Sequence, residues 1–357
     1  MILMGFFDSI PMIIILFIIG LLLIIKGGDW FVDAASWIAE KSGIPKFIIG
    51  ATIVSIATTL PELIVSIIAA AEGHGLLIAG NEVEALSSVD MAIGNAIGSV
   101  NANTGLIMAI SLIFIPASIK RKDFWFKPVL LMVTIVLLFL ACIKGELKVL
   151  GAIFVLLMLV VFFVENTIMA KKHMALSNEE EKTEEEEKEE ESSSKDPLKI
   201  LAKKNEILAN IIMFILGAAG IVIGARLLVD KGTQIATLLN VPTKIIALTM
   251  VAIGTSLPEL VTTLTAIAKK QSELSVGNIF GANLIDMALI LPVCSFVFGA
   301  GLPVNNNVLY LDMAFALGLS MIAIIPTIIR GKFSRVQGFL LLAAYIVYIV
   351  LSSILVL

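Results

Sequence analysis

Long apolar runs, interrupted by short polar segments, dominate the pattern of this 357-residue chain. An α-helix rises about 1.5 Å per residue, so about 20 apolar residues cross the ~30 Å core of a bilayer. The runs lack the alternation that is typical of membrane β-strands, which excludes a β-barrel. The pattern therefore predicts ten membrane-spanning helices, near residues 12–40, 45–72, 89–115, 128–143, 149–169, 207–238, 242–269, 273–298, 307–329 and 336–357.

The composition supports an all-α integral membrane protein. Hydrophobic residues make up 59% of the chain and charged residues 15%, against about 25% charged residues in a soluble domain. Cys142 and Cys294 both lie in apolar segments, which does not indicate a disulfide framework. We expect the lipid bilayer as the environment and no nucleic-acid partner.

The distribution of lysine and arginine predicts the orientation of the spans. If the N-terminus lies outside, nineteen of these residues fall in inner loops and three in outer loops. An excess of positive charge is typical of cytoplasmic loops. We therefore expect a multi-pass protein of the plasma membrane with both termini outside.

An acidic segment separates the fifth and sixth spans. Residues 178–194 are rich in glutamate and poor in apolar side chains, a composition that is typical of disordered chain. A solvated linker is favoured over a calcium-sensing role. We expect a first five-helix repeat at 1–169, a disordered cytoplasmic linker at 170–206 and a second five-helix repeat at 207–357.

Two sequence blocks recur in the two halves. Ile53–Leu63 resembles Met250–Leu260 at an offset of 197 residues, and Gly94–Asn103 resembles Gly277–Asp286 at an offset of 183. Each half has five predicted spans, an odd number, so the second half enters the membrane from the opposite side. Inverted-topology repeats are typical of secondary transporters, although duplicated pores leave a channel as an alternative.

The first block combines a proline and a carboxylate within an apolar span. Proline lacks an N–H, so a proline at 61 or 258 frees the carbonyl four residues earlier, at Ala57 or Gly254. One helical turn then brings together a carbonyl, a hydroxyl and a carboxylate. Hard cations such as Ca²⁺ and Na⁺ bind such oxygens, so a cation site is favoured over an incidental acid beside a kink. The carboxylates and hydroxyls are Glu62, Glu259, Thr58 and Thr255.

The second block predicts both close helix packing and further ligands. Glycines spaced four residues apart permit close contact between helices, here at 94 and 98 and at 277 and 281. Ser99 and Asn103 share one helix face, as do Ala282 and Asp286. Asn103 and Asp286 are favoured as ligands. For Asn95 and Asn278, a ligand role and an interhelical hydrogen bond are equally open.

Several charged residues fall in the first and sixth spans, which are long enough to tilt or to break at their glycines. Arg226 and Asp230 are four residues apart and could pair on one helix face. For Asp29, Asp33 and Asp230, structural pairing and a role in ion entry stay open.

These motifs resemble the calcium/cation antiporter superfamily, and specifically its sodium/calcium exchanger branch. The resemblance rests on the segments Thr255–Leu260 and Gly277–Gly281 and on their first-half equivalents. The proton/calcium branch has Gly-Asn-Ala before its helix-two glutamate, whereas Thr58–Pro61 precede Glu62 here. The resemblance therefore favours sodium coupling.

The resemblance implies a mid-membrane ion site on four central helices and no cofactor, with Ca²⁺ and Na⁺ as the transported ions. Ala57 and Thr59 stand where the family usually has Gly and Ser, Val100 replaces an Asn, and Ala282 replaces a Ser. These departures bear on the number and affinity of the sodium sites. The implied ligands are Glu62, Glu259, Asp286, Asn103, Thr58, Thr59, Ser99, Thr255, Ser256 and the backbones of Ala57 and Gly254.

We therefore expect a secondary active Na⁺/Ca²⁺ antiporter that works by alternating access, rather than an enzyme. The first alternative is a divalent-cation exchanger coupled to protons or to another cation, with Mg²⁺ or Mn²⁺ as substrate. The others are an intramembrane protease that uses a carboxylate dyad, and a channel.

Overall fold

The computed structural model describes residues 10–116, 125–188, 197–239, 256–299 and 301–356. Side chains are described in these ranges except at 177–188, 197–205, 236 and 355–356. The described chain is almost entirely helical, with one two-stranded antiparallel sheet. The helices are α1 (Ile10–Ser42), α2 (Lys46–Ile78), α3 (Glu82–Phe114), α4 (Phe126–Cys142), α5 (Val149–Lys188), α6 (Pro197–Leu238), α7 (Leu257–Ala268), α8 (Ser272–Phe298), α9 (Val308–Arg330) and α10 (Arg335–Val356).

These helices confirm the all-α, ten-helix inverted repeat. Eight of them are long and apolar enough to cross a membrane, and α4 and α7 are shorter apolar helices. The described part of α7 covers the second half of the span predicted at 242–269; residues 240–255 lie outside the described part of the chain.

The acidic segment differs from the expected disordered linker. We expected disorder over 170–206, whereas α5 continues to Lys188 and α6 begins at Pro197. Glutamate and lysine are good helix formers, and Glu184 and Lys188 have the i,i+4 spacing that supports a helix. The expectation of disorder is therefore left only for 189–196, which lie outside the described residues.

Helices α1 and α6 pack against each other through glycine. A Cβ at Gly20 would lie 3.0 Å from the Gly224 carbonyl oxygen, and one at Gly27 would lie 2.8 Å from that of Gly217. The earlier glycine of α1 thus contacts the later glycine of α6, and the later one contacts the earlier, so the two helices are antiparallel. At the 197-residue offset, Gly20 corresponds to Gly217 and Gly27 to Gly224, so the two contacts are related by the pseudo-two-fold axis. Both helices are continuous through these glycines, so the break considered from the sequence does not occur; the glycines permit close packing instead.

The glycine seam predicted in the second repeat joins α8 to the start of α2. A Cβ at Gly277 would approach the Phe47 carbonyl, and one at Gly281 would lie 2.5 Å from the Ala51 carbonyl. Close approach of the backbones therefore requires glycine at both positions. A Cβ at Gly94 or Gly98 would meet no described atom within 4 Å.

The two repeats also meet in a continuous apolar core and in the sheet. Strands β1 (Glu146–Leu147) and β2 (Leu302–Pro303) come from different repeats and pair antiparallel. The Ser295 hydroxyl donates to the Leu147 carbonyl at 2.7 Å beside this pair. The central helices are thus fixed on each other from both halves of the chain.

Candidate functional site

Three acidic side chains lie within electrostatic range of one another inside the helix bundle. Glu62 on α2, Glu259 on α7 and Asp286 on α8 are each fully buried, with 0% exposure. The Glu62 carboxylate interacts electrostatically with both of the others, and Glu259 interacts with Asp286. The structure therefore brings the duplicated glutamates of the two repeats into one electrostatic cluster.

None of the six carboxylate oxygens in this cluster makes a hydrogen bond of normal geometry with a described residue. The hydroxyl of Thr58 faces Glu259, and that of Ser99 faces Asp286. A buried carboxylate without a partner is strongly unfavourable unless a cation or a proton compensates it. The cluster is therefore chemically suited to hold positive charge.

A chain of small polar groups crosses from one repeat to the other beside the carboxylates. The Ser256 hydroxyl on α7 donates to the Ser99 hydroxyl on α3 at 3.3 Å. The Asn103 amide nitrogen donates to the same Ser99 oxygen at 3.3 Å, which leaves the buried Asn103 carbonyl oxygen without a described partner. This oxygen is neutral and hard, the type that Ca²⁺ and Na⁺ prefer, and it lies beside the acidic cluster.

The two asparagines left open by the sequence differ in their contacts. Asn95 donates to the Glu62 backbone carbonyl at 3.1 Å and to the Ser66 hydroxyl at 2.9 Å, so it makes an interhelical hydrogen bond between α3 and α2. Asn278 lies on the site side, where its side-chain oxygen is 3.2 Å from the Thr58 hydroxyl. It is fully buried, and its nitrogen has no described partner.

The helices change their winding at the site. Five-residue π-helical turns run over Asn103–Ile107 in α3 and Asp286–Ile290 in α8. Such turns occur frequently at functional sites. Each of these begins at the residue that the second sequence block predicts as a ligand.

Comparison with known proteins shows the family to which the chain belongs. The profile of the sodium/calcium exchanger protein family matches residues 12–167 and 209–354. The chain belongs to the sodium/calcium exchanger family. The match covers most of both halves of the chain and omits the acidic segment.

Two relatives and one solved structure match this family member along nearly its whole length. An uncharacterized membrane protein of Methanocaldococcus jannaschii, MJ0091, is 30% identical over 93% of this chain and 95% of its own length. The sodium/calcium exchanger MaX1 of Methanosarcina acetivorans is 28% identical over 94% and 97%. A solved structure of the sodium-calcium exchanger NCX_Mj, soaked with Na⁺ and Sr²⁺, superposes with a TM-score of 0.75 at 27% identity and covers 96% of this chain and 99% of its own.

The remaining predicted ligands of this exchanger-family protein are placed differently. Thr59 is buried, and its hydroxyl donates to the Ser55 carbonyl. Ala57 is half-buried and packs against an apolar cluster that includes residues of α1 and α6. Gly254 and Thr255 lie outside the described residues. Among the described side chains, no three of the types His, Cys, Asp and Glu are arranged closely enough to hold a metal ion by themselves.

One hydrogen bond between the two repeats was not predicted from the sequence. The Asn283 amide on α8 donates to the Thr104 hydroxyl on α3 at 2.7 Å, and both residues are buried. Both residues are neighbours of predicted ligands. Thr104 directly follows Asn103, and Asn283 lies one helical turn before Asp286. The available signal was a carboxamide within an apolar span, inside the second repeated block.

Proposed function

We propose that the protein exchanges Na⁺ for Ca²⁺ across the membrane by alternating access at the buried carboxylate cluster. The observation that carries this proposal is the full burial of Glu62, Glu259 and Asp286 within electrostatic range of one another, with no ion-pair partner among the described residues. The family match, the MaX1 relative and the ion-soaked NCX_Mj structures support these two ions as substrates. Further oxygen ligands would come from Asn103, Thr58, Thr59, Ser99, Thr255, Ser256 and the backbones of Ala57 and Gly254.

The oxygen-only chemistry of the cluster fits the proposed ions. Ca²⁺ takes six to eight oxygen ligands at about 2.3–2.6 Å, from carboxylates, carbonyls and amides. The three acids alone are not arranged closely enough to coordinate a metal ion. An ion therefore also binds hydroxyl and carbonyl oxygens here, and the side chains move slightly inward around it. Such an adjustment couples ion binding to helix position.

Mutual exclusion of the ions in one site produces exchange. One Ca²⁺ together with one proton, or a small number of Na⁺ ions, balances the three negative charges of the cluster, whereas both kinds of ion together would place excess positive charge in a poorly screened interior. A loaded site is close to neutral and can change the side to which it is exposed. An empty site resists that change because bare carboxylates would then cross a dry barrier.

The antiparallel pair of α1 and α6 is the moving part in this scheme. Its two glycine contacts are related by the pseudo-two-fold axis, so the pair can occupy two equivalent positions against the central helices. Alternating access in inverted-repeat transporters proceeds by motion of one bundle against another around a fixed site.

The test is uptake of ⁴⁵Ca²⁺ into proteoliposomes loaded with Na⁺ and diluted into Na⁺-free buffer. We expect uptake that requires the Na⁺ gradient and that falls at least a hundredfold in Glu259→Gln. Glu84→Gln, a change at an exposed glutamate near the start of α3, is the matched control and should transport at the parental rate. Equal uptake without a Na⁺ gradient would contradict the proposal.

The same vesicles separate the alternatives. Uptake driven equally well by a proton gradient, or retained with Mg²⁺ or Mn²⁺ in place of Ca²⁺, favours a differently coupled divalent-cation exchanger. Single-channel currents favour a channel. Substrate cleavage that is lost in Glu62→Gln favours an intramembrane protease.

A further inference from the structure

Helix α1 is tied to the end of α7 by an ion pair outside the carboxylate cluster. Lys269, directly after α7, places its ammonium 2.7 Å from a carboxylate oxygen of Asp33 and 3.4 Å from one of Asp29 on α1. It also donates to the Asp29 backbone carbonyl at 3.2 Å. These contacts lie on the face that the lysine and arginine distribution assigns to the cytoplasm.

The internal repeat gives this ion pair a counterpart on the other face. At the offset of 197 residues, Glu72 at the outer part of α2 corresponds to Lys269, and Arg226 on α6 corresponds to Asp29. The signs of both charges are reversed, so these two positions are again complementary, whereas Asp33 corresponds to Asp230 and keeps its sign. An acidic residue on α2 and a basic residue on α6 could pair as Lys269 and Asp29 do.

The counterpart is open in this structure. Glu72 and Arg226 are both exposed, and neither makes an ion pair with any residue in the described ranges. The pairing of Arg226 with Asp230 considered from the sequence is not formed between these described side chains either. The two equivalent positions therefore differ. The charge pair is formed, or closed, on the predicted cytoplasmic face, and its counterpart on the outer face is not formed, or open, among the described residues.

Apolar packing beside the two charge pairs shows the same asymmetry. On the closed face, a Cβ at Gly28 of α1 would lie 3.1 Å from Val261 and 2.7 Å from the Thr265 hydroxyl, both on α7. The equivalents of these two α7 residues on α2 are Ile64 and Ile68, which are 46% and 60% exposed. Helix α1 thus rests on α7, while α6 leaves the matching surface of α2 uncovered.

We propose that the two charge pairs form an alternating latch, in which Lys269 holds α1 in this conformation and Glu72 captures Arg226 of α6 in the opposite one. Because α1 and α6 pack through two symmetric glycine contacts, the two helices move as one unit. Closing either latch then opens the other. This inference rests on the proposed alternating-access function.

A half-exposed ion pair biases such an equilibrium without locking it. The Lys269 side chain is 26% exposed, and those of Asp29 and Asp33 are 42% and 55% exposed. Exposed pairs of this kind change a two-state ratio by about two- to fivefold. A modest bias suits a transporter, because a strong latch would trap it in one state.

The test measures the ratio of the two states by pulsed electron paramagnetic resonance. Spin labels at Leu77→Cys on α2 and Leu238→Cys on α6, both exposed positions, report the distance between these helices on the outer face. The buried Cys142 and Cys294 are replaced by alanine. Every variant is compared with the labelled parent in the same Ca²⁺-containing buffer.

Release of the inner latch and disruption of the outer latch should act in opposite directions. We expect Lys269→Gln to raise the population with the short outer distance about two- to fivefold, and Glu72→Arg to lower it by a similar factor. The double variant Glu72→Arg with Arg226→Glu should restore the parental ratio, which guards against a folding defect of a single variant. Lys270→Gln, at an exposed neighbour, and Glu84→Gln are the controls and should leave the ratio unchanged.

The latch is overturned if Lys269→Gln and Glu72→Arg shift the ratio in the same direction or not at all, or if the double variant fails to restore it. These ratios do not depend on which ion drives transport. Loss of Na⁺-driven uptake in the parent together with the expected distance changes would therefore reject the proposed substrates and keep the latch.

Discussion

Asn103 and Asp286 are equivalent residues of the two repeats, and each is the first residue of a π-helical turn in the centre of its helix. Both are fully buried, yet one is an amide and the other an acid. The inverted repeat therefore places an amide in one half and an acid in the other at equivalent buried positions. This asymmetry leads to a direct test of how much charge the site needs.

We expect Asp286→Asn to retain Na⁺-driven Ca²⁺ uptake within about threefold of the parent. Asn103 shows that an amide fits at the equivalent position, and the two remaining glutamates balance a single Ca²⁺. Asn103→Asp, by contrast, adds a fourth acid to a poorly screened cluster and should lower uptake at least tenfold. Initial rates of ⁴⁵Ca²⁺ uptake check both variants, and a loss in Asp286→Asn as complete as in Glu259→Gln would show that its charge is required.

Ca²⁺ and Na⁺ should stabilise the purified protein in competition with each other. An ion at a hundred times its dissociation constant stabilises the folded state by about 2.7 kcal/mol, so Ca²⁺ should raise the unfolding temperature by several degrees. Added Na⁺ should raise the Ca²⁺ concentration needed for half of that effect, because both ions use the same carboxylates. Thermal unfolding in detergent measures this, with choline as the control cation; a Ca²⁺ response that Na⁺ leaves unchanged would indicate separate sites.

Much of this architecture could be predicted from local sequence. Apolar length and the two repeated blocks were sufficient to predict ten helices and an inverted repeat, since these depend on composition and spacing. The glutamates at 62 and 259 could be singled out because an acid in an apolar span is costly. The site assignment of both residues stays a prediction, although the structure buries them together.

Other features depend on tertiary contacts that spacing does not encode. The π turns at Asn103 and Asp286 have no sequence signature, and the Asn283–Thr104 hydrogen bond requires knowledge of which helices cross. The scarcity of apolar residues in the acidic segment predicts disorder. Its glutamates and lysines, however, also favour a helix, and α5 continues through them to Lys188.

Gly281 should tolerate no side chain, because α8 meets the backbone of α2 there. A Cβ at this position would lie 2.5 Å from the Ala51 carbonyl oxygen, and overpacking of a tight contact typically costs about 1–3 kcal/mol. We expect Gly281→Ala to lower the unfolding temperature in detergent and to reduce uptake. Gly318→Ala is the matched control, since no described atom lies within 4 Å of a Cβ there and alanine favours helix over glycine; equal stability of the two variants would contradict the seam.

The ion pair between Lys127 on α4 and Glu165 on α5 should stabilise the predicted cytoplasmic end of the first repeat. Its N–O distance is 2.9 Å, the lysine side chain is fully buried, and its ammonium also lies 5.5 Å from the centre of the Phe47 ring. Removing one partner of a buried pair costs about 3–5 kcal/mol because the other charge is left uncompensated, whereas replacing both by apolar residues can be nearly neutral. We therefore expect Lys127→Met to lower the unfolding temperature in detergent strongly, and Lys127→Met with Glu165→Leu to recover most of that loss. Additive effects of the two changes would show that the side chains do not depend on each other.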